Sequence, residues 1–479
     1  MNNHKYKRLI NNSIIFAIGN LGSKFIVFLV VPLYTYYLTK SEFGMVDLLT
    51  TTLSFFIPIF TLSIFDSVLR FAMDKKYNKQ TVLINSLLIT VIGFAFSFCL
   101  YPVFMEFVSR NETVFYFYTL LFVQSINSTF TQYVRAIGKV RLFAASGIIN
   151  AVTLLISNIV FLVLFNMGIT GYLLSLIFAT IISMLFVILK GRVYKDFSIK
   201  KIDIQLTREM LLYSIPLIPN ALMWWIMGLS DRYIITFFLG LSANGMYAVA
   251  NKIPSILTII NSIFFQAWQM SAIEEVNSED KSNFFSNVFN IFSIVMLMAT
   301  AMLIVILKVV MMFFVSSNYF EAWRYVPFLL LGVVFSSYSG FLGTTYIAMK
   351  QTKGVFKTSV IGAVVNIAIN IVFVPIIGVN GASIGTMISF ALIWILRIKD
   401  TNKFIRIRIN WRKLSLNLLV IFLQIGVLYL DISIEYLLQI ILLSIMGLIN
   451  IKEIKIVIEK IKITIFKKKI TPSENNVHY

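Results

Sequence analysis

About fourteen apolar stretches, each roughly twenty residues long or longer, succeed one another from residue 9 to residue 450. They lie near 9–38, 44–70, 81–108, 113–135, 142–166, 170–190, 208–239, 244–272, 283–315, 322–349, 355–376, 380–398, 413–430 and 433–450. At 1.5 Å per residue, a helix of this length crosses a hydrocarbon core about 30 Å thick. A soluble domain cannot bury so much apolar sequence: 58% of the residues are hydrophobic, only 13% are charged, and the mean hydropathy is +0.86. The expectation is an all-α polytopic membrane protein with about 14 transmembrane helices.

The net charge of +20 is spread over small clusters between the apolar runs. A nucleic-acid-binding protein gathers its Lys and Arg on one face or arm, so nucleic acid is excluded as a partner. The clusters read as topology determinants. Arg70/Lys75/Lys76/Lys79, Arg135/Lys139/Arg141, Lys190 to Arg208, Lys350/Lys353/Lys357 and Arg397 to Lys413 fall in alternate connections, whereas the turns at 166–171, 240–245, 378–381 and 430–434 are short and almost free of Lys and Arg. By the positive-inside rule the basic connections and both termini are cytoplasmic, and the span number is even. One cytoplasmic loop carries Glu274, Glu275, Glu279 and Asp280, which weigh little in that rule. The basic N-terminus is expected to open the first span rather than a signal peptide, because its apolar run continues to Leu38 with no small-residue cleavage site. The segment after Asn450 alternates Ile and Val with Lys and Glu, as either an amphipathic helix on the inner leaflet or a further basic anchor. Cys99 sits mid-span and carries no chemistry.

The chain also repeats itself. Thr35-Tyr36-Tyr37-Leu38, then Ser41, Gly44 and Met45, recur as Thr236-Phe237-Phe238-Leu239, then Ser242, Gly245 and Met246. A second match sets Asn158-Ile159-Val160-Phe161, Gly168 and Gly171 against Asn370-Ile371-Val372-Phe373, Gly378 and Gly381. Two matches in the same order indicate duplication. With six spans in each copy, both copies start on the cytoplasmic side, so they are parallel repeats about an axis along the membrane normal. The expected layout is a six-helix lobe over residues 1–200, a second over 201–400, two additional spans over 401–450 and a basic cytoplasmic tail over 451–479. Two such bundles enclose a cavity suited to alternating access.

Polar residues inside spans mark that cavity, because lipid-facing positions exclude them. Ser13, Asn20, Lys24 and Thr35 share a face of the first span; Asp47, Thr51, Ser54 and Thr61 share one of the second; Asn251, Ser255, Thr258, Ser262 and Gln266 share one of the eighth, with Lys252 at its border. The candidates for ligand contact are Lys24, Lys252, Asn20, Asp47, Asn251, Ser255, Gln266 and Arg232. An ionised lysine at mid-membrane costs about 2.5 to 3.5 kcal/mol on insertion scales, so it needs water, an anionic ligand or an internal partner such as Asp47. Asp231 and Arg232 point about 100° apart on a helix, which leaves Arg232 free to extend toward the outer interface instead. Asp66 with Arg70 and Glu321 with Arg324 have the spacing of structural ion pairs. Pro32, Pro58, Pro216, Pro219, Pro254 and Pro375 are expected to kink their spans.

Histidine occurs only as His4 and His478, and no G-x-x-x-x-G-K-[ST] loop or D-x-D pair is found. No catalytic residue, metal site or bound cofactor is expected, and the chain reads as a transporter rather than an enzyme. Energy for directed movement then comes from a coupling ion (Na+ or H+), the membrane potential or consumption of the product.

Asn12-Ser13, Gly19-Asn20, Lys24, Pro32-Leu33-Tyr34-Thr35, Leu38, Glu42-Phe43-Gly44 and Asp47-Leu48 resemble the opening of the bacterial polysaccharide biosynthesis flippases, the O-antigen or Wzx-type translocases. Ser214-Ile215-Pro216, Pro219, Asp231-Arg232 and Gly245-Met246-Tyr247 resemble the opening of their second half. The resemblance covers most of residues 8–400 and implies the superfamily of multidrug exporters (a MATE-like two-lobe fold), oligosaccharidyl-lipid flippases and peptidoglycan-precursor flippases. It further implies a flippase of the bacterial cytoplasmic membrane that moves an undecaprenyl-diphosphate-linked oligosaccharide from the inner to the outer leaflet for O-antigen, capsule or exopolysaccharide synthesis. In such flippases cavity cations meet the diphosphate, the role Lys24 and Lys252 suit; Trp224 and Trp225 either contact sugar or pack. The implied partners are the lipid-linked substrate, the bilayer, glycosyltransferases and a polysaccharide polymerase, around a monomer. A drug/cation antiporter of the same superfamily is the alternative, although deep lysines disfavour organic cations. A membrane polymerase or glycosyltransferase ranks lower because every outer loop is short.

Overall fold

The computed structural model describes residues 21–107, 111–197, 201–275, 278–349, 352–455 and 459. Among the described residues all regular structure is helical, and each of the fourteen apolar stretches corresponds to a helix or to a helix broken once or twice. The first half contains α1 (Leu21–Tyr37), α2 (Lys40–Phe60), α3 (Ile64–Met73), α4 (Lys79–Leu100), α5 (Asn111–Ala136), α6 (Val140–Leu164) and α7 (Gly168–Lys190). The second contains α8 (Ile204–Leu229), α9 (Asp231–Leu239), α10 (Leu241–Ala250), α11 (Pro254–Glu275), α12 (Lys281–Phe314), α13 (Val326–Ala348), α14 (Thr352–Ile377) and α15 (Val379–Thr401). Two helices follow, α16 (Trp411–Leu430) and α17 (Glu435–Ile449).

The breaks have local causes. Helices α2 and α3 together make the second span, interrupted after Pro58 by Leu62 and Ser63, both in the left-handed region at φ 51° and 50°. Its repeat partner is broken between α10 and α11, ahead of Pro254, and bends there by 47°. At the opposite end of these spans the two copies start their helices differently. Thr39 caps α2 in a capping box with Glu42, whose carboxylate accepts the Thr39 N–H at 2.9 Å. The equivalent residue before α10 is Gly240 at φ +83°, a conformation open to glycine.

Each half packs as a lobe. In the first lobe buried apolar residues form one cluster near the basic-loop end around Val68, Val82 and Tyr133 and another near the opposite end around Leu53, Phe117 and Leu121, while Val30, Tyr34, Phe43 and Tyr172 join the core of the second lobe. That core is continuous and aromatic: Phe264 stacks on Phe292 at 4.0 Å and Trp268 on Phe341 at 4.2 Å. The start of α8 crosses between lobes. Leu206 and Met210 join the first lobe's core, Ser67 donates to the Met210 carbonyl at 2.7 Å, and Asn85 donates to the Asp203 carbonyl at 2.8 Å. The chain passes to the second lobe only beyond the break at Ile215–Leu217, where Pro216 lacks an N–H.

Candidate functional site

The lobes touch most closely at the end remote from the basic loops, where α2 crosses α10. A Cβ on Gly44 would lie 2.0 Å from the Leu241 carbonyl oxygen, and one on Gly245 would lie 2.0 Å from the Lys40 carbonyl oxygen. Only glycine permits this approach. The Asn244 amide donates to the Gly44 carbonyl at 2.9 Å, the Ser316 hydroxyl donates to the Thr35 carbonyl at 2.6 Å, and the Tyr319 hydroxyl donates to the Leu38 carbonyl at 3.1 Å. Deeper along the seam, the Trp225 indole donates to the Thr51 carbonyl at 2.9 Å. These bonds close that end.

Toward the basic-loop end the lobes part around a cavity of about 670 Å³. Ser23, Lys24 and Phe28 of α1, Ile57 of α2, and Lys252, Ser255, Thr258 and Ile259 at the broken eighth span line it. The rest of the wall belongs to the first lobe: Gln124, Asn127, Ser128 and Thr131 of α5, Ser146 and Asn150 of α6, Thr180 and Ser183 of α7. The second lobe's buried interior is by contrast apolar and rich in aromatic rings. Lys252 sits on the 251–253 turn between α10 and α11, its ammonium 5.9 Å from the centre of the Phe43 ring. Among the described residues neither Lys24 nor Lys252 forms an ion pair, and the cavity lining contains no Asp or Glu.

The sequence candidates thus divide. Lys24, Lys252 and Ser255 share the cavity. Asp47 makes its salt bridge with Arg232, accepting from Nε at 2.9 Å across the seam, and its charge also acts on Lys252 without a direct ion pair among the described residues. Arg232 also reaches Asp231 at 3.1 Å, so its expected extension toward the outer interface is corrected. It is 7% exposed, and the long guanidinium arm serves both carboxylates although the Cα–Cβ bonds diverge. Asp231 accepts in turn from the Tyr247 hydroxyl and, at 3.4 Å, from Thr386. Thr386 accepts from Asn366 at 3.4 Å and Asn366 from Asn370 at 3.2 Å, so a buried polar chain runs from the seam into the second lobe. Asn251 donates to the Tyr247 carbonyl at 2.9 Å beside this chain and does not line the cavity. Gln266 lies on α11, and Asn20 lies outside the described residues.

Three further placements differ from expectation or extend it. Arg70 pairs with Asp74 at 3.8 Å rather than with Asp66, whereas Glu321 and Arg324 do pair, at 2.6 Å. Arg397 is no loop cation. It is 2% exposed inside the second lobe, donating to the Ser339 carbonyl at 2.7 Å and to the Thr358 and Ser359 hydroxyls at 3.0 Å. Sequence reasoning also missed the neutral wall of α5, although Gln124, Asn127, Ser128 and Thr131 follow the i, i+3, i+4, i+7 signal.

A family described as polysaccharide biosynthesis protein matches residues 9–269. An uncharacterised membrane protein of Methanocaldococcus jannaschii is 23% identical over 372 residues, 70% of this chain and 71% of its own. Among solved structures, the lipid II flippase MurJ in an inward closed conformation superposes with a TM-score of 0.69 at 15% identity, covering 93% of this chain and 100% of that one. A point mutant of the Vibrio cholerae MATE transporter VcmN gives 0.57 at 14% identity, covering 83% and 97%. A superfamily transporter from Pyrococcus furiosus, described by a binding pocket of reversed polarity, gives 0.60 at 13%, covering 88% and 96%. The fold is the two-lobe helical fold of these transporters, carried here by a multi-pass membrane protein.

Proposed function

We propose, from the premise that this chain belongs to the polysaccharide biosynthesis protein family, that it is a flippase for undecaprenyl-diphosphate-linked oligosaccharide. The observation that carries this reading is the pair Lys24 and Lys252 on one cavity whose described lining has no carboxylate. A diphosphate stripped of water requires fixed cations and N–H or O–H donors. The two ammonium groups supply the first, and Asn127, Ser128, Thr131, Asn150 and Ser255 supply hydroxyls and amides for the adjoining sugars. The lipid tail stays in the bilayer while the head crosses.

The cytoplasmic side is the basic-loop side, so the cavity loads from the inner leaflet while the α2/α10 crossing holds the outer end shut. Rocking of the lobes, divided near residue 200, exchanges these states by alternating access, with spans over 401–450 and the tail over 451–479 outside the repeat. Glycosyltransferases supply the substrate and a polymerase consumes it, in the bacterial cytoplasmic membrane with both termini inside. An antiporter for organic cations fits less well, because a cationic drug needs a carboxylate where this cavity has lysines.

The test is deletion of the gene, with mass spectrometry of the lipid-linked sugars. Accumulation of one such species in the inner leaflet, rescued by the intact chain and not by Lys24→Ala/Lys252→Ala, supports the proposal. Normal surface polysaccharide from that double variant, inserted at ordinary levels, removes the diphosphate contact.

A further inference from the structure

A second polar pocket lies away from the cavity, where α12 of the second lobe meets α16 and the residues after α17. It encloses about 460 Å³ and brings Asn287, Asn290, Asn410 and Asn417 together with Lys413 and Glu453. Lys413 donates to one oxygen of Glu453; the other oxygen, Oε2, is buried and has no hydrogen-bond partner among the described residues. An unpaired buried carboxylate oxygen loses hydration without compensation, so it marks a place for an N–H donor. The carboxyl stays ionised at neutral pH: burial raises it, but the Lys413 hydrogen bond, the Glu453 backbone N–H and the charges of Lys413 and Lys452 together hold it below its ordinary value of 4.5.

An apolar cleft of about 290 Å³ continues from this pocket along α12, with Ile291, Ile294 and Glu453 lining both. Val295, Met298, Ala299 and Met302 extend it, and Val295 and Met302 are 38% and 55% exposed, so the cleft opens sideways. From residue 291 to residue 302 a helix rises roughly 16 Å, about the depth of one leaflet's hydrocarbon.

We propose that the junction of α12, α16 and Glu453 holds a phospholipid with a primary-ammonium headgroup, phosphatidylethanolamine. The ammonium donates to Glu453 Oε2, Lys413 and the Asn287 and Asn410 amides donate to the phosphate, and one acyl chain lies in the cleft; Asn290 is already committed to the Ser286 and Arg408 carbonyls and Asn417 to Asn450. Charge complementarity selects this lipid: the pocket's ionisable pair sums to zero, as does the headgroup. Phosphatidylcholine lacks an N–H donor, and phosphatidylglycerol lacks a cation. The site shares no residue with the cavity, so this inference stands or falls separately from the transport reading.

The test is native mass spectrometry of the purified full chain, delipidated and offered equal amounts of phosphatidylethanolamine, phosphatidylglycerol and phosphatidylcholine. Wild type should retain phosphatidylethanolamine preferentially, and Glu453→Gln should weaken that retention about tenfold, the scale of one charge-assisted hydrogen bond. Met298→Trp, which fills the cleft without touching the polar pocket, should reduce retention as well. Equal retention of all three lipids, a preference for phosphatidylglycerol, or unchanged retention of phosphatidylethanolamine in either variant overturns the proposal.

Discussion

Gly44 and Gly245, residues 201 positions apart and matched in the internal repeat, press against each other's helices in the same way: Gly44 meets the Leu241 carbonyl and Gly245 meets the Lys40 carbonyl. Lys40 and Leu241 are themselves 201 positions apart, so the contact is self-complementary, as at the centre of a two-fold dimer. The duplicated motif is therefore an interface with its own copy. A methyl group at either position must push the helices apart, because the obstacle is backbone on both sides. Gly44→Ala and Gly245→Ala should each destabilise the closed seam, by about 1 to 3 kcal/mol on the scale of overpacking. By symmetry their effects should be similar. Thiol labelling of a cysteine placed at Thr51 in a Cys99→Ser background reads the opening; unchanged labelling in both variants counts against the seam as a gate.

The Asp47–Arg232–Asp231 arrangement gives a second prediction with a definite order. Truncating Arg232 leaves the buried Asp231 and the partly buried Asp47 without their shared cation, whereas Asp47→Asn leaves Arg232 its bond to Asp231. Arg232→Ala should cost about 3 to 5 kcal/mol, the scale of breaking a buried pair, and Asp47→Asn clearly less. Thermal unfolding in detergent measures both. If Arg232→Ala is no worse than Asp47→Asn, the guanidinium is not what holds the seam.

The sequence made some of this plain and hid the rest, for physical reasons. Charge in an apolar span is costly wherever it sits, so Lys24 and Lys252 stood out, and they do meet at one cavity. The repeat showed in Gly44 and Gly245 because glycine at a close backbone crossing has no substitute. Arg232 was misplaced because a helical projection compares Cα–Cβ directions only; the backbone stays helical through Ser230, and it is the length of the guanidinium arm that brings Asp47 and Asp231 within reach. Arg397 was hidden for a similar reason: proximity to a basic loop is a statement about sequence, while four residues from Ser339 to Ser359 solvate its charge inside the lobe. The neutral stripe on α5 carried no charge to draw notice.

That stripe supplies a third prediction. Asn127 Oδ1 is buried and lacks a hydrogen-bond partner among the described residues, so the fold gains little from it. Asn127→Leu should leave thermal stability within about 1 kcal/mol of wild type, while transport of the lipid-linked sugar falls at least several-fold. Thr131 differs, since its hydroxyl donates to the Asn127 carbonyl at 2.8 Å, and Thr131→Val should cost some stability as well. Transport by reconstituted vesicles checks both, and full transport by Asn127→Leu would remove this wall from the binding surface.

Lys308 anchors the two additional helices to the second lobe. Its ammonium lies 2.6 Å from Glu435 and 2.9 Å from Asp431, and 4.5 Å from the centre of the Trp323 ring. Glu435 is buried, whereas Asp431, in a left-handed turn at φ 49°, is exposed. The Lys308 hydrogen bond and charge hold the Asp431 carboxyl below its ordinary value of 3.8. A depressed carboxylate stabilises the fold above its unfolded value and loses that contribution as pH falls through the folded one, so Asp431 matters at neutral pH and fades only in acid. Lys308→Met strands the buried Glu435 and should cost about 3 to 5 kcal/mol, and adding Glu435→Gln should recover most of that loss, because a neutral pair needs no counter-charge. Asp431→Asn alone, being screened by solvent, should cost far less than Lys308→Met. A double-mutant cycle by thermal unfolding separates these terms. Additive losses for Lys308→Met and Glu435→Gln would mean that the two helices are held by apolar packing instead.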